Sequence, residues 1–231
     1  MRRVIVFDTE TTGLPQTKML TPEVLHLWPH IIQLSFIVYD IDAKNVINIS
    51  DYIIHLPKDI VMSDENMNIH KITNEMCYSS DEKIQDVLVK FMWYFMNVDL
   101  VIGHNIDFDL KMLKVEFMRI IQNDVSGSVS KNCYVDFLEY IKKYKNYYCT
   151  MQESVDVCAI QIMNRKGTLF NKFPKLIELH EKLFSTPPKN LHNSLNDVLV
   201  CLRCFYKLKF NQDILELNET IKNLFINYKL L

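Results

Sequence analysis

The run Val4-Ile5-Val6-Phe7 is short, apolar and largely β-branched, and it leads straight into Asp8-Thr9-Glu10. No other feature limits the fold of this chain as much. A run without polar alternation suits a central strand covered on both faces, which calls for a sheet held between helical layers. Asp8 and Glu10 lie two residues apart, so on an extended strand their carboxylates project from one face. Two like charges held together resist ionising unless a cation neutralises them. An exposed acidic turn is the alternative for these residues taken alone. Thr11, Thr12 and Gly13 follow; they place hydroxyls and a permissive backbone where a phosphate or sugar could approach.

The remaining pattern predicts an α/β fold. Strands are expected over 2–8, 31–39, 46–55, 100–103 and 147–151, bounded by turn residues. The connection 12–30 carries Pro15, Pro22 and Pro29 and is expected to be irregular. Ser79-Ser80-Asp81-Glu82 has the form of a capping box for a helix running to about Met96. Further helices are expected over 107–121, 135–144, 173–184, 195–210 and 213–228, with a polar loop over 123–131. Three strands in succession favour an antiparallel meander, and strands reached through helices favour parallel pairing with the first. The result is a mixed five-stranded sheet flanked by helices, with the Asp8 strand near its middle.

The chain has 231 residues, of which 48% are hydrophobic and 23% charged, and this suits one domain with a sizeable core. Residues 1–210 are expected to form it, with 211–231 a C-terminal helix packed on the same domain. The net charge of −2 excludes a molecule-wide basic field, so a nucleic-acid partner would have to be held by a local patch or through bound cations. The six cysteines are scattered through apolar or helical contexts. Cys201 and Cys204 form a CxxC with no second pair nearby, which favours reduced, buried thiols over a zinc site. No apolar run reaches membrane-spanning length and no secretion signal is evident, so a cytoplasmic or nuclear protein without membrane association is expected. Gly is rare, at four residues, while Lys, Asn, Ile and Tyr abound, as in a virus or another AT-rich genome.

Two further segments carry candidate chemistry. Gly103-His104-Asn105-Ile106-Asp107-Phe108-Asp109 sits where a short strand enters a helix, and Leu191-His192-Asn193-Ser194-Leu195-Asn196-Asp197 opens another. Singly, acids at such positions are more often helix caps. Together with the first segment they resemble the DEDDh (DnaQ-like) exonucleases, the family of the bacterial polymerase III proofreading subunit and the three-prime repair exonucleases. D-x-E-x-T-G is met by Asp8 to Gly13, H-N-x-x-F-D by His104 to Asp109, and H-x-x-x-x-D by His192 and Asp197. The tyrosine subclass needs Tyr four residues before the last acid, where this chain has Asn193. A softer match runs through Ile69-His70-Lys71-Ile72, with Lys71 in place of the family's Gly. The resemblance extends from about Val4 to Leu208.

That resemblance implies the ribonuclease-H-like exonuclease fold. It implies a 3′–5′ exonuclease that releases nucleoside 5′-monophosphates from single-stranded or frayed 3′ ends; the motifs read phosphate and not base, and DNA is expected ahead of RNA. Asp8, Glu10, Asp109 and Asp197 would hold two Mg²⁺ or Mn²⁺ ions, which suit oxygen-only ligands. The residue matching Asp8 bridges both ions. Those matching Glu10 and Asp197 complete one shell, and the one matching Asp109 holds the second ion largely through water. Ions roughly 3.5–4 Å apart can stabilise both the attacking and the leaving oxygen. His192 would take the proton from the attacking water, a task suited to an imidazole with its ordinary pKa of about 6.5. Thr9, Thr11, Thr12, Gly13, Leu14, Ile69, His70 and Asn105 are the expected substrate contacts, Leu14 by wedging against the terminal base. Lys142, Lys143 and Lys145, interleaved with Tyr140, Tyr144, Tyr147 and Tyr148, could add phosphate and base contacts or form a solvated helix face. Roles in proofreading or repair, alone or beside a polymerase, fit the resemblance. An RNA-trimming exoribonuclease and a non-catalytic nucleic-acid-binding protein on the same fold are the alternatives.

Overall fold

The computed structural model describes residues 2–123, 129–144 and 146–231. Its strands β1 (Arg3–Thr11), β2 (Ile31–Asp40), β3 (Asn45–Ile53), β4 (Leu100–Gly103) and β5 (Tyr147–Cys149) form one sheet in the order β3-β2-β1-β4-β5. β1 to β3 form an antiparallel meander, and β4 and β5 add in parallel beside β1. This is the mixed five-stranded sheet of the ribonuclease-H-like exonuclease fold, with β1 at its centre.

Helices cover both faces: α1 (Asp64–His70), α2 (Asn74–Ser79), α3 (Ile84–Phe95), α4 (Ile106–Asn123), α5 (Val129–Lys143), α6 (Thr150–Glu153), α7 (Val155–Cys158), α8 (Leu176–Phe184), α9 (Ser194–Phe210), α10 (Ile214–Leu217) and α11 (Glu219–Asn227). Alternation along β1 assigns each side chain to a layer. Ile5 and Phe7 enter a core built with α3, α4 and α5, where Phe91 packs on Phe7 and Phe36. Val4 and Val6 enter the opposite core, filled by Val198, Leu199, Leu202 and Phe205 of α9 and by Ile221 and Phe225 of α11. The same alternation carries Asp8 and Glu10 toward the α9 side and Thr9 toward the α4 side.

The sequence pattern differs from the structure at identifiable places. β1 runs on to Thr11, because β2 continues to pair with it, and the register shifts between Glu10 and Thr11. Such a bulge re-aims side chains locally. Ser79-Ser80-Asp81-Glu82 caps no helix: the Ser80 hydroxyl donates to the Ile53 carbonyl at 2.6 Å and accepts from the Glu82 N–H at 3.1 Å, making a turn before α3. The expected single helix over 213–228 is two, because the Asn218 side chain accepts from the Ile221 N–H and starts α11 afresh. The short helices α1 and α2, capped by the Ser63 and Thr73 side chains, interrupt what pattern alone leaves as loop. So does a two-stranded hairpin, β6 (Gln161–Met163) with β7 (Leu169–Asn171). Of the polar loop expected over 123–131, residues 124–128 lie outside the described residues, as does Lys145; 129–131 open α5.

Tyr140, Tyr144 and Tyr147 pack on Phe95 and one another, partly buried against the core, so they form neither a stacking platform nor a solvated face. Tyr148 packs edge-on against Phe205. Cys201 and Cys204 are buried in α9, where desolvation raises both thiols. Among the described residues no helix is long and apolar enough to cross a membrane.

Candidate active site

Three acids from two distant segments meet where β1 passes the start of α9. Ligand oxygens of Asp8, Glu10 and Asp197 lie within 4.8 Å of one another. Asp8 and Glu10 come from alternate positions of β1, and Asp197 from the first turn of α9. The contact is fixed by Ser194, whose hydroxyl donates to the Asp8 carbonyl at 2.6 Å and whose N–H donates to Gln33 Oε1 at 3.0 Å. Gln33 and Ser35 stand opposite Glu10 and Asp8 on β2, and both donate to Asp51 Oδ1. A polar face thus crosses three strands in register with the acids. The sequence signal was there: Gln33 and Ser35 are two polar residues at alternate positions of a run, Ile31–Val38, that is otherwise apolar.

Asp109 reaches the same centre from the other layer. It lies in the first turn of α4, 3% exposed, and its Oδ1 accepts from the Thr9 N–H at 3.0 Å and the Thr9 hydroxyl at 2.7 Å. Asp107, two residues earlier, is exposed. Of the two neighbouring acids, Asp109 is the one that faces Thr9 and Asp8. It is not one of the three clustered oxygen donors, yet it adjoins Asp8 closely enough for their charges to interact.

The electrostatics follow from crowding. Burial pushes the Asp8 carboxyl up to about 7, with Ser194 offsetting part of the rise. Burial, then the charges of Asp8 and Asp109, push Glu10 up to about 8. Asp109 and Asp197 are raised well above the usual carboxylate range, each by burial and then by Asp8. Among the described residues none of the four makes a salt bridge. Asp197 Oδ1 is buried without a hydrogen-bond partner. An acceptor left bare in an acidic, all-oxygen cluster is suited to a hard divalent cation, so these residues fit Mg²⁺ or Mn²⁺.

The raised carboxyls predict a pH dependence of stability. An acid whose folded value exceeds its unfolded value, about 4, holds its proton more tightly in the folded state. Stability is then lost as pH rises from about 4 through about 8, the window set by Asp8 and Glu10. In chelator the melting temperature should fall between about pH 5 and 8.5, and Mn²⁺ should raise it most at the alkaline end. A melting temperature that climbs across this window in chelator would contradict these carboxyl environments.

The remaining candidates divide by what their side chains touch. The hydroxyls of Thr9, Thr11 and Thr12 are engaged within the protein: Thr11 donates to the Gly13 carbonyl at 2.7 Å, and Thr12 accepts from the His30 N–H at 3.0 Å. They shape the loop, whose backbone and exposed Leu14 side chain are turned to solvent. Asn66 of α1 donates to the Thr12 carbonyl at 2.7 Å, and a Cβ on Gly13 would stand 3.1 Å from its Nδ2. Gly at 13 therefore permits this close approach. Leu14 is 82% exposed, which removes core packing as its role, and Ile69 is 48% exposed, one helical turn from Asn66. Lys71, where the resembling family has Gly, adopts the left-handed conformation at φ 63°, so the α1 terminus keeps the backbone that Gly would favour.

The histidines separate clearly. His70 is buried; its Nδ1 accepts from the Ile72 N–H at 3.1 Å and its Nε2 has no partner. Burial, then the nearby His192, lower its pKa, so a neutral ring presents an unpaired Nε2–H. His192 is exposed, with φ 68°, and its backbone N–H acts on the Asp197 carboxyl. His104 is locked: Nε2 donates to the Pro174 carbonyl at 3.1 Å, and Nδ1 accepts from the Thr150 hydroxyl at 2.9 Å. Burial pushes it down to about 4, which makes it a neutral strut. Asn105 is exposed and left-handed, at φ 67°, between that strut and α4.

Sequence reasoning missed the clamp on the 12–30 connection. Arg119 donates to the carbonyls of Leu25, Trp28 and Pro29 and to Glu116, which also accepts from the Ile31 N–H. A charged pair spaced i,i+3 on the buried stripe of a helix was its signal.

A family model described as "RNase_T: Exonuclease" matches residues 5–205. Among solved structures, the chain is similar to E. coli Exonuclease I in complex with a dT13 oligonucleotide, at a TM-score of 0.59 and 16% identity over 90% of this chain and 41% of that one. It is also similar to a moderately thermophilic Exonuclease I from Methylocaldum szegediense, at a TM-score of 0.57 and 15% identity over 98% and 46%. The chain spans less than half the length of these solved proteins. A comparison with curated protein sequences finds no match.

Proposed function

Because the chain belongs to the RNase_T exonuclease family, we propose that it is a divalent-metal-dependent 3′–5′ exonuclease acting on single-stranded or frayed ends, DNA in the first place. One observation carries this reading: Asp8, Glu10 and Asp197 converge into an oxygen-only cluster with a buried, unpaired Asp197 oxygen. These three, with Asp109, would hold two Mg²⁺ or Mn²⁺ ions. When bound, such ions stabilise charge on the attacking and leaving oxygens of a phosphodiester.

The chain's own residues would do the rest. The Thr12-Gly13-Leu14 loop, held by Asn66 and His30, offers backbone and an exposed apolar side chain to the terminal nucleotide. The unpaired His70 Nε2–H is a donor for its sugar or phosphate. Ile69 adds apolar surface beside it. His192, exposed at the edge of the cluster, takes the proton from the attacking water. His104, with both nitrogens engaged, is excluded from that task. Release of a nucleoside 5′-monophosphate leaves a new 3′ hydroxyl in the same site.

A 5′-labelled single strand tests the polarity. In Mg²⁺ it should yield a descending ladder of labelled products, with DNA digested faster than RNA. Immediate release of labelled mononucleotide would mean attack from the 5′ end and would overturn the proposal. Faster digestion of RNA would reassign the substrate to RNA.

A further inference from the structure

Every residue of the hairpin β6–β7 except Asn171 is exposed, so apolar side chains reach solvent on both of its faces. Cross-strand pairing sets Ile162 opposite Phe170 on one face and Met163 opposite Leu169 on the other. These four side chains are 40%, 46%, 65% and 57% exposed respectively, and Phe173 just beyond is 59% exposed. A lone two-stranded ribbon is marginal in water, so an uncovered apolar pair on each face calls for an occupant. Its turn is nonetheless well formed: Asn164 Oδ1 accepts from the Lys166 and Thr168 N–H groups, both at 2.9 Å, and Gly167 supplies φ 80°.

Charge says what the occupant is. From Ala159 to Lys175 the chain carries Arg165, Lys166, Lys172 and Lys175 and no acid, in a molecule of net charge −2. Lys172 is paired with Glu178 at 2.5 Å, while Arg165 and Lys166 stand exposed at the turn. Exposed aromatics beside cations match a single strand, whose bases stack on rings and whose phosphates meet the cations. Placement agrees: the Pro174 carbonyl, just past β7, is bonded to His104 at the carboxyl end of β4, the edge of the sheet that leads into Asp109.

We propose that this hairpin docks single-stranded nucleic acid upstream of the terminal nucleotide, with bases on Phe170 and Phe173 and phosphates on Arg165 and Lys166. This rests on the exonuclease reading for its direction but is tested by binding alone. The probe is a 5′-fluorescein-labelled strand of about 20 thymidines, followed by anisotropy in EDTA. R165E/K166E and F170A/F173A, all at exposed positions, should each weaken binding roughly tenfold or more, with melting temperature unchanged. For R165A/K166A the slope of log affinity against log salt should flatten by about 1.4, the value for two phosphate contacts. In Mg²⁺ the variants should raise KM for the long strand and leave kcat and dinucleotide turnover as in the parent. A parent that binds through the hairpin and digests nothing sinks the exonuclease reading and keeps this one. A parent that digests, with variants that bind like it, sinks this one alone. Failure of the parent to bind the strand also overturns it. So does sedimentation as a dimer that F170S converts to monomer, which would assign the faces to a second copy.

Discussion

Asp8→Asn is expected to lower the rate of nucleotide release roughly 10³-fold or more, a loss of about 4 kcal/mol or more of transition-state stabilisation. Asp8 is the hub of the cluster: its charge raises Glu10, Asp109 and Asp197 alike. An amide at this position keeps the shape and removes that charge, so divalent ions lose their strongest attraction to the site. The same change should stabilise the protein in chelator at alkaline pH, because desolvation of one carboxylate and its repulsion of three others disappear. A slower enzyme that melts higher is the signature to look for. Near-parent turnover by Asp8→Asn would mean that the β1 acids are not the reaction centre.

His192→Ala should lower kcat about 10²–10⁴-fold, the ordinary worth of a positioned general base, and leave Mn²⁺ affinity close to that of the parent. The difference from the carboxylates comes from geometry. Asp197 contributes a buried, unpaired oxygen to the cluster, whereas the His192 side chain is exposed and acts on Asp197 only through its backbone N–H. Asp197→Ala should therefore weaken Mn²⁺ binding, and His192→Ala should not. Calorimetry with Mn²⁺ and turnover at saturating Mn²⁺ read the two effects separately. Loss of Mn²⁺ binding in His192→Ala would make the residue a ligand or a strut. Unchanged turnover would leave the water to be activated by another group.

The sheet and the three motif segments were legible because strong local patterns coincide there with global packing. Val4 to Phe7 can lie only between two layers, and β4 and the helix from Ser194 each fit one period. What sequence pattern obscured is long-range. The hydroxyls of Thr9 and Thr12 look available in the sequence, but their partners, Asp109 and His30, lie 100 and 18 residues away. The Tyr140–Tyr148 stretch resembles a nucleic-acid platform in composition, and packing on Phe95 and Phe205 turns its aromatics toward the protein. The converse holds at 161–173: a three-residue strand is too short for periodicity to reveal, so its uncovered apolar faces are visible only in three dimensions. His104 and His192 occupy equivalent-looking places before acidic helices, and the partners that mark His104 as a strut are visible only in the structure.

Digestion of a 5′-labelled single strand by protein stripped with EDTA, followed by back-titration with Mg²⁺, bears most directly on the central claim that the Asp8–Glu10–Asp109–Asp197 cluster works by holding divalent ions. The predicted result is no release in EDTA, a stepwise ladder restored as Mg²⁺ is added, and no restoration in Asp8→Asn at the Mg²⁺ concentration that saturates the parent. A full ladder in EDTA, or equal restoration of Asp8→Asn, would contradict it.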